Sequence, residues 1–171
     1  MPAALAALAV IGYFLLPVSP PLTGETGLSD YVFRITSLLP GFFIAALAAV
    51  ATFQRAELDE TMPSPSPTLK VRTGDDTSLV SLSHRVFLCH LFSYLTVTSL
   101  LLILLSVSGE IIAPNVNYII RAIDRPASGF LITLSLKSLY TFVLSFLFFR
   151  LILVTLFGLY FLVERIHRVN S

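Results

Sequence analysis

The chain has 171 residues, 56% of them hydrophobic and only 12% charged, with a formal net charge of +1; a soluble domain carries about 25% charged residues. A body this small has too much surface for its volume to hide such an apolar excess from water, so the sequence reads as a membrane protein. The near-neutral charge without a basic stripe excludes a direct nucleic-acid binder, and a single cysteine, Cys89, excludes a disulfide or zinc framework.

Residues 3–19 are uncharged and about long enough to cross a bilayer, at roughly 17–25 residues per span. A cleaved signal peptide is the rival reading, but it wants Lys or Arg before its apolar stretch, and nothing charged precedes Glu25. Residues 35–53 make a second uncharged span, and residues 86–108 a third that ends at Gly109 and Glu110. The fourth stretch, 129–163, holds only Lys137 and Arg150 as charges and no proline. As one helix it reaches roughly 50 Å against a hydrocarbon core of about 30 Å, so it tilts steeply or stands proud of the membrane. No acidic residue falls inside any of the four stretches.

Positive charge near span ends sets orientation. The loop 54–85 and the tail carry Arg55, Lys70, Arg72, Arg85, Arg165 and Arg168, whereas the other side offers Arg34, Arg121 and Arg125, with Lys137 as a further candidate. Four crossings therefore put both termini and loop 54–85 in the cytoplasm.

Within that loop, the prolines of MPSPSP (62–67) stop the second helix. Leu69, Val71 and Thr73 then alternate with Lys70 and Arg72, and Gly74-Asp75-Asp76 supplies turn chemistry before a second β-leaning run, Ser78 to Leu82. This predicts a small β-hairpin, which alone is marginal in water and needs a second copy, a partner or the membrane surface; a flexible solvated loop is the competing reading. In the outer loop 109–128, Pro114 suits a first helical position, and Val116, Ile119, Ile120 and Ile123 follow at i, i+3, i+4 and i+7. That spacing predicts a short amphipathic helix lying flat on the membrane.

No enzyme constellation is found. GxSxG, HExxH and phosphate-cradling patterns are absent, and His84, His90 and His167 are too scattered to bind a metal by spacing. A turn accounts for Asp75 and Asp76. No catalytic residue, cofactor or metal is therefore expected. Polar groups inside the spans say more, since each is costly unless it faces protein or water. His90, Tyr94 and Thr98 form one stripe on the third span, and Lys137, Thr141 and Ser145 another on the fourth, with Arg150 on nearly the opposite face. An ion path needs such lines; interhelical hydrogen bonding is the plainer reading. On the second span Gly41, Ala45 and Ala49 leave one face nearly bare, so another helix can approach closely, the Ala-rich first helix or a second copy among them.

The sequence thus reads as one polytopic all-α domain over 1–171, with four transmembrane helices, a cytoplasmic β-hairpin between the second and third, and an amphipathic helix between the third and fourth. The expected role is an oligomeric anchor or sensor of a bacterial inner membrane, in a stress or antiphage response. It would dock a soluble cytoplasmic protein through Lys70, Arg72, Asp75 and Asp76. An oligomeric pore lined by the intramembrane cations and hydroxyls is the alternative.

Overall fold

The computed structural model describes the backbone of residues 1–17, 21–54, 56–61, 68–73, 76–122 and 126–168, and side chains within these ranges except at 56–57, 68–80, 120–130 and 162–168. The chain forms two compact units, Met1–Pro40 with Val97–Ser171, and Gly41–Thr96.

In the first unit, α1 (Pro2–Leu15) starts with proline at the position where its missing amide donor costs nothing. It is apolar all round: only Ala6 is buried, while Leu8, Ile11 and Leu15 are exposed, the pattern of a helix in lipid. It packs along α6 (Pro126–Arg168). The absence of proline from 129–163 predicts one uninterrupted helix there, and α6 is a single helix of 43 residues. Next along the chain after α1 comes α2 (Leu28–Thr36), to which the sequence pattern assigns no element. Its buried residues, Ser29, Val32 and Thr36, recur at i, i+3 and i+7, and Asp30 pairs with Arg34 one turn on (Oδ2 to Nε 2.9 Å).

The longest departure from expectation is α5 (His84–Ala122), which runs through Gly109, Glu110 and Pro114 as one helix of 39 residues. The separate amphipathic helix is not formed; its residues extend the third span. Pro114 removes one backbone hydrogen bond, a local cost, and the helix continues through it. Two seams show why these helices form. On α5 the buried residues Leu88, Phe92, Leu95, Ser99, Leu102 and Ser106 recur at alternating steps of four and three, and on α6 Thr141, Leu144, Leu151 and Gly158 keep a similar spacing. That is the 3.5-residue repeat by which packed helices keep one stripe facing inward.

The second unit contains most of α3 (Leu39–Thr52), the single turn α4 (Ala56–Asp59), the strands β1 (Thr68–Thr73) and β2 (Asp76–Ser81), and the first turns of α5. The strands pair antiparallel, from Thr68 opposite Ser81 to Thr73 opposite Asp76.

Among the described residues, three helical stretches are long and apolar enough to cross a membrane: Leu28–Thr52, which joins α2 and α3, then His84–Ile119 and Leu131–Phe161. The expectation of four such helices is not met. In place of a span over 3–19, α1 is a helix of 14 residues, roughly 21 Å long and short of the roughly 30 Å hydrocarbon core.

Candidate functional site

Two places concentrate directional polar contacts, one in each unit. In the second, the ends of α3 and α5 are clamped at the foot of the 54–85 segment. Arg85 lies one residue into α5. Its Nε and Nη2 donate to the two carboxylate oxygens of Asp59 at 2.6 and 3.1 Å, the paired geometry that suits a planar guanidinium. Its Nη1 reaches the carbonyls of Val50 (2.9 Å) and Ala51 (3.4 Å), which lie in the last turn of α3 and have no partner further along that helix. A cation there also complements the negative end of the helix dipole. The Arg85 guanidinium holds the Asp59 carboxyl below its ordinary range. Next to it, His84 is buried, and its amide donates to the Glu60 carbonyl (3.2 Å). His84 Nδ1 lies 2.9 Å from the same oxygen, and because a carbonyl only accepts, Nδ1 carries the proton. A single bridge between Thr61 and Ser83 completes the closure.

The first unit holds a groove between α5 and α6. One wall is a single helical stripe on α5, including Leu105, Ser108, Gly109, Ile112, Ala113 and Val116; the other is Thr133, Leu136, Lys137 and Tyr140 on α6. Leu22 and Thr23 close one side, and the open groove has a volume of about 250 Å³. Ser108 and Ala113 are small, which leaves room along the α5 wall opposite Lys137 and Thr133. At one point the helices touch. Tyr140 lies against Gly109 so closely that a Cβ there would sit 2.7 Å from Cζ of the ring, and its hydroxyl donates to the Leu105 carbonyl (3.4 Å).

Beside the groove, Glu110 is tied down. Its Oε2 accepts the Gly24 amide at 2.7 Å, and its Oε1 meets the Ser29 hydroxyl. Ser29 Oγ is also 2.8 Å from the Leu22 carbonyl, and Gly24 turns the loop with φ +105°, a conformation side chains resist. The carboxylate thus sits near the N-terminal end of α2, whose dipole favours an anion; the first-turn amides themselves are taken by the carbonyls of Pro21, Leu22 and Gly27. The sequence reading put no acidic residue inside a span; Glu110 is inside α5, within His84–Ile119.

The intramembrane candidates are distributed unevenly. His90 is exposed, Tyr94 half-buried and Thr98 buried. His90 Nδ1 donates to its own helix at the Val86 carbonyl (2.8 Å), and Thr141 donates to the Lys137 carbonyl (2.8 Å). Thr141 and Ser145 are buried, whereas Lys137 and Arg150 are exposed. Gly41 and Ala45 are exposed and Ala49 half-exposed, and nothing lies within 4 Å of where a Cβ on Gly41 would stand. Of the docking candidates, Asp75 lies outside the described residues, as do the side chains of Lys70, Arg72 and Asp76; the backbones of these three belong to the strand pair, Lys70 opposite Leu79 and Arg72 opposite Thr77.

Sequence reasoning missed the clamp and the Glu110 anchor. Asp30 with Arg34, and Ser29 with Val32 and Thr36, were the legible signs of α2. In the sequence Arg85 stands out only as a charge that sets orientation. Among the described residues no group of three His, Cys, Asp or Glu is placed to hold a metal. No protein-family model matches the chain, and no curated protein or solved structure is found to match it.

Proposed function

We propose that this chain is an oligomeric membrane anchor or sensor that presents its 54–85 segment to a soluble cytoplasmic partner. The observation that supports this reading is the clamp: Arg85 joins Asp59 to the end of α3, and His84 holds Glu60, so the segment is fastened to two membrane helices at its foot. A segment fixed in this way passes on a change in helix orientation that a loose loop would absorb. Lys70, Arg72, Asp75 and Asp76 are the docking residues in this reading. The charge bias assigns the segment to the cytoplasmic side of a bacterial inner membrane, in a stress or antiphage setting. The bare face at Gly41, Ala45 and Ala49 serves self-association. The short α1 crosses as a fourth span beside α6 by local thinning of the bilayer, which returns the N-terminus to the cytoplasm.

Co-purification tests the docking. The doubly substituted Lys70→Ala, Arg72→Ala chain should insert normally and lose a soluble protein that the unaltered chain retains; undiminished retention overturns the assignment. Topology is tested in a Cys89→Ser background with single cysteines at Ala3 and Ser83. Labelling of both from one side supports four crossings, and labelling from opposite sides supports three.

The pore reading has one observation in its favour: Ser106 Oγ is buried with no hydrogen-bond partner among the described residues. Against it, the hydroxyl of Thr141 and the ring of His90 bond to their own helices. Planar-bilayer recording of the purified oligomer separates the two, since single-channel steps abolished by Arg150→Leu would favour the pore.

A further inference from the structure

We propose that the groove between α5 and α6 binds an anionic phospholipid, with one acyl chain along the groove and the head-group phosphate on Lys137. The site requires only that these helices lie in a bilayer; it stands whether or not the 54–85 segment docks a partner.

The shape selects a chain. The α5 wall runs from Leu105 to Asn117, roughly 18 Å at 1.5 Å per residue. Its volume of about 250 Å³ is below the roughly 300–1,000 Å³ of pockets that enclose compact ligands. A long, narrow, mostly apolar trough suits one extended hydrocarbon chain, with Leu105, Ile112, Val116 and Leu136 against its methylenes.

The charge selects the head group. Lys137 lines the groove, is exposed, and forms no ion pair or side-chain hydrogen bond among the described residues. The carboxylate of this region, Glu110, is engaged by the Gly24 amide and Ser29. An ammonium on an apolar helix is costly unless it reaches water or a counter-ion, and its flexible stem allows that reach. Its depth fits a phosphate. Lys137 lies six residues into the apolar stretch Leu131–Phe161, roughly 9 Å from its start, on a stretch that exceeds the hydrocarbon thickness by more than that. A zwitterionic head would bring its own cation beside the ammonium, whereas a net-anionic head leaves its charge for Lys137.

Native mass spectrometry of the full chain tests this, with phosphatidylglycerol or phosphatidylcholine added to the detergent. Phosphatidylglycerol should be retained about fivefold more than phosphatidylcholine, the factor that roughly 1 kcal/mol per basic residue at an anionic surface gives. Lys137→Ala should abolish the preference and Lys137→Arg keep it. Ala113→Phe, which fills the groove without touching the charge, should reduce retention of both lipids. Helicity by circular dichroism confirms that each variant is folded. Equal retention of the two lipids, an unchanged preference in Lys137→Ala, or unchanged retention in Ala113→Phe would each overturn the proposal. So would displacement of the lipid by excess inorganic phosphate, which would reassign the cation to a free anion.

Discussion

Replacing Gly109 by alanine tests the contact between α5 and α6 because two effects of opposite sign compete there. In the interior of an ordinary helix, alanine gains about 0.8–1.0 kcal/mol over glycine. At 109 the new Cβ would stand 2.7 Å from Cζ and 3.0 Å from Cε2 of Tyr140, and nearer still to its hydroxyl. The ring must therefore swing away and abandon the Leu105 carbonyl. Forced overpacking costs about 1–3 kcal/mol, and a hydrogen bond as long as 3.4 Å adds the low end of about 0.5–1.5 kcal/mol. The clash wins: Gly109→Ala should destabilise the chain by about 1–2 kcal/mol net of the propensity gain. Once Tyr140→Leu has removed the ring, the same substitution should turn neutral or stabilising. The four chains of this cycle can be compared by thermal unfolding in one detergent, monitored by circular dichroism. Additive effects, or stabilisation by Gly109→Ala in the unaltered chain, would refute the close approach of the two helices.

Three further outcomes are expected. Glu110→Ala should cost about 1.5–3 kcal/mol, as hydrogen bonds to a charged group do, and Glu110→Gln clearly less, measured by unfolding in detergent, since the amide still offers an acceptor to Gly24. The clamp should depend on pH with a definite sign: Asp59 is held below its ordinary value by Arg85, so its contribution is complete above the unfolded value of about 3.9 and fades as pH falls through the lower folded one. Limited proteolysis of the 54–85 segment should thus be slow and flat between about pH 5 and 8 and accelerate below about pH 4, whereas Arg85→Ala should be cleaved quickly throughout. Gly41→Ile should leave helicity unchanged, because nothing lies within 4 Å of its Cβ position, while shifting the detergent-solubilised assembly to smaller mass in a light-scattering measurement.

Membrane residence and the continuity of α6 were legible in the sequence because both rest on local properties, an apolar surplus and the lack of a helix breaker. The extent of α5 was not. Proline 114 and the pair Gly109-Glu110 look like an interruption when only neighbours along the chain are weighed. What keeps the helix going is tertiary: Gly109 is where Tyr140 docks, and Glu110 is bound by Gly24 and Ser29, more than 80 residues earlier. On α6 the polar stripe and the buried seam meet at Thr141, with Ser145 buried beside it, whereas on α5 they part. His90, Tyr94 and Thr98 caught the eye as the more polar residues, yet the buried seam of α5 runs through Ser99 and Ser106, whose small size matters more than their hydroxyls. The clamp escaped notice because nothing in a linear pattern tells a helix-capping arginine from one that only sets orientation.

The length of α6 has a consequence for the lipid around it. Its apolar stretch Leu131–Phe161 has 31 residues, roughly 46 Å, and hiding it in roughly 30 Å of hydrocarbon would take a tilt of about 50°, beyond the roughly 0–40° that membrane helices adopt. Even at about 40° the stretch stands roughly 35 Å tall. The excess of about 5 Å is met where the Lys137 end of the stretch rises to the head groups and where the lipid beside it thickens, at fractions of a kcal/mol per Å. Every copy carries a collar of strained lipid, and copies that share one collar relieve part of that strain. Hydrophobic mismatch of this kind favours the thickest membrane within reach, independently of any specific helix contact.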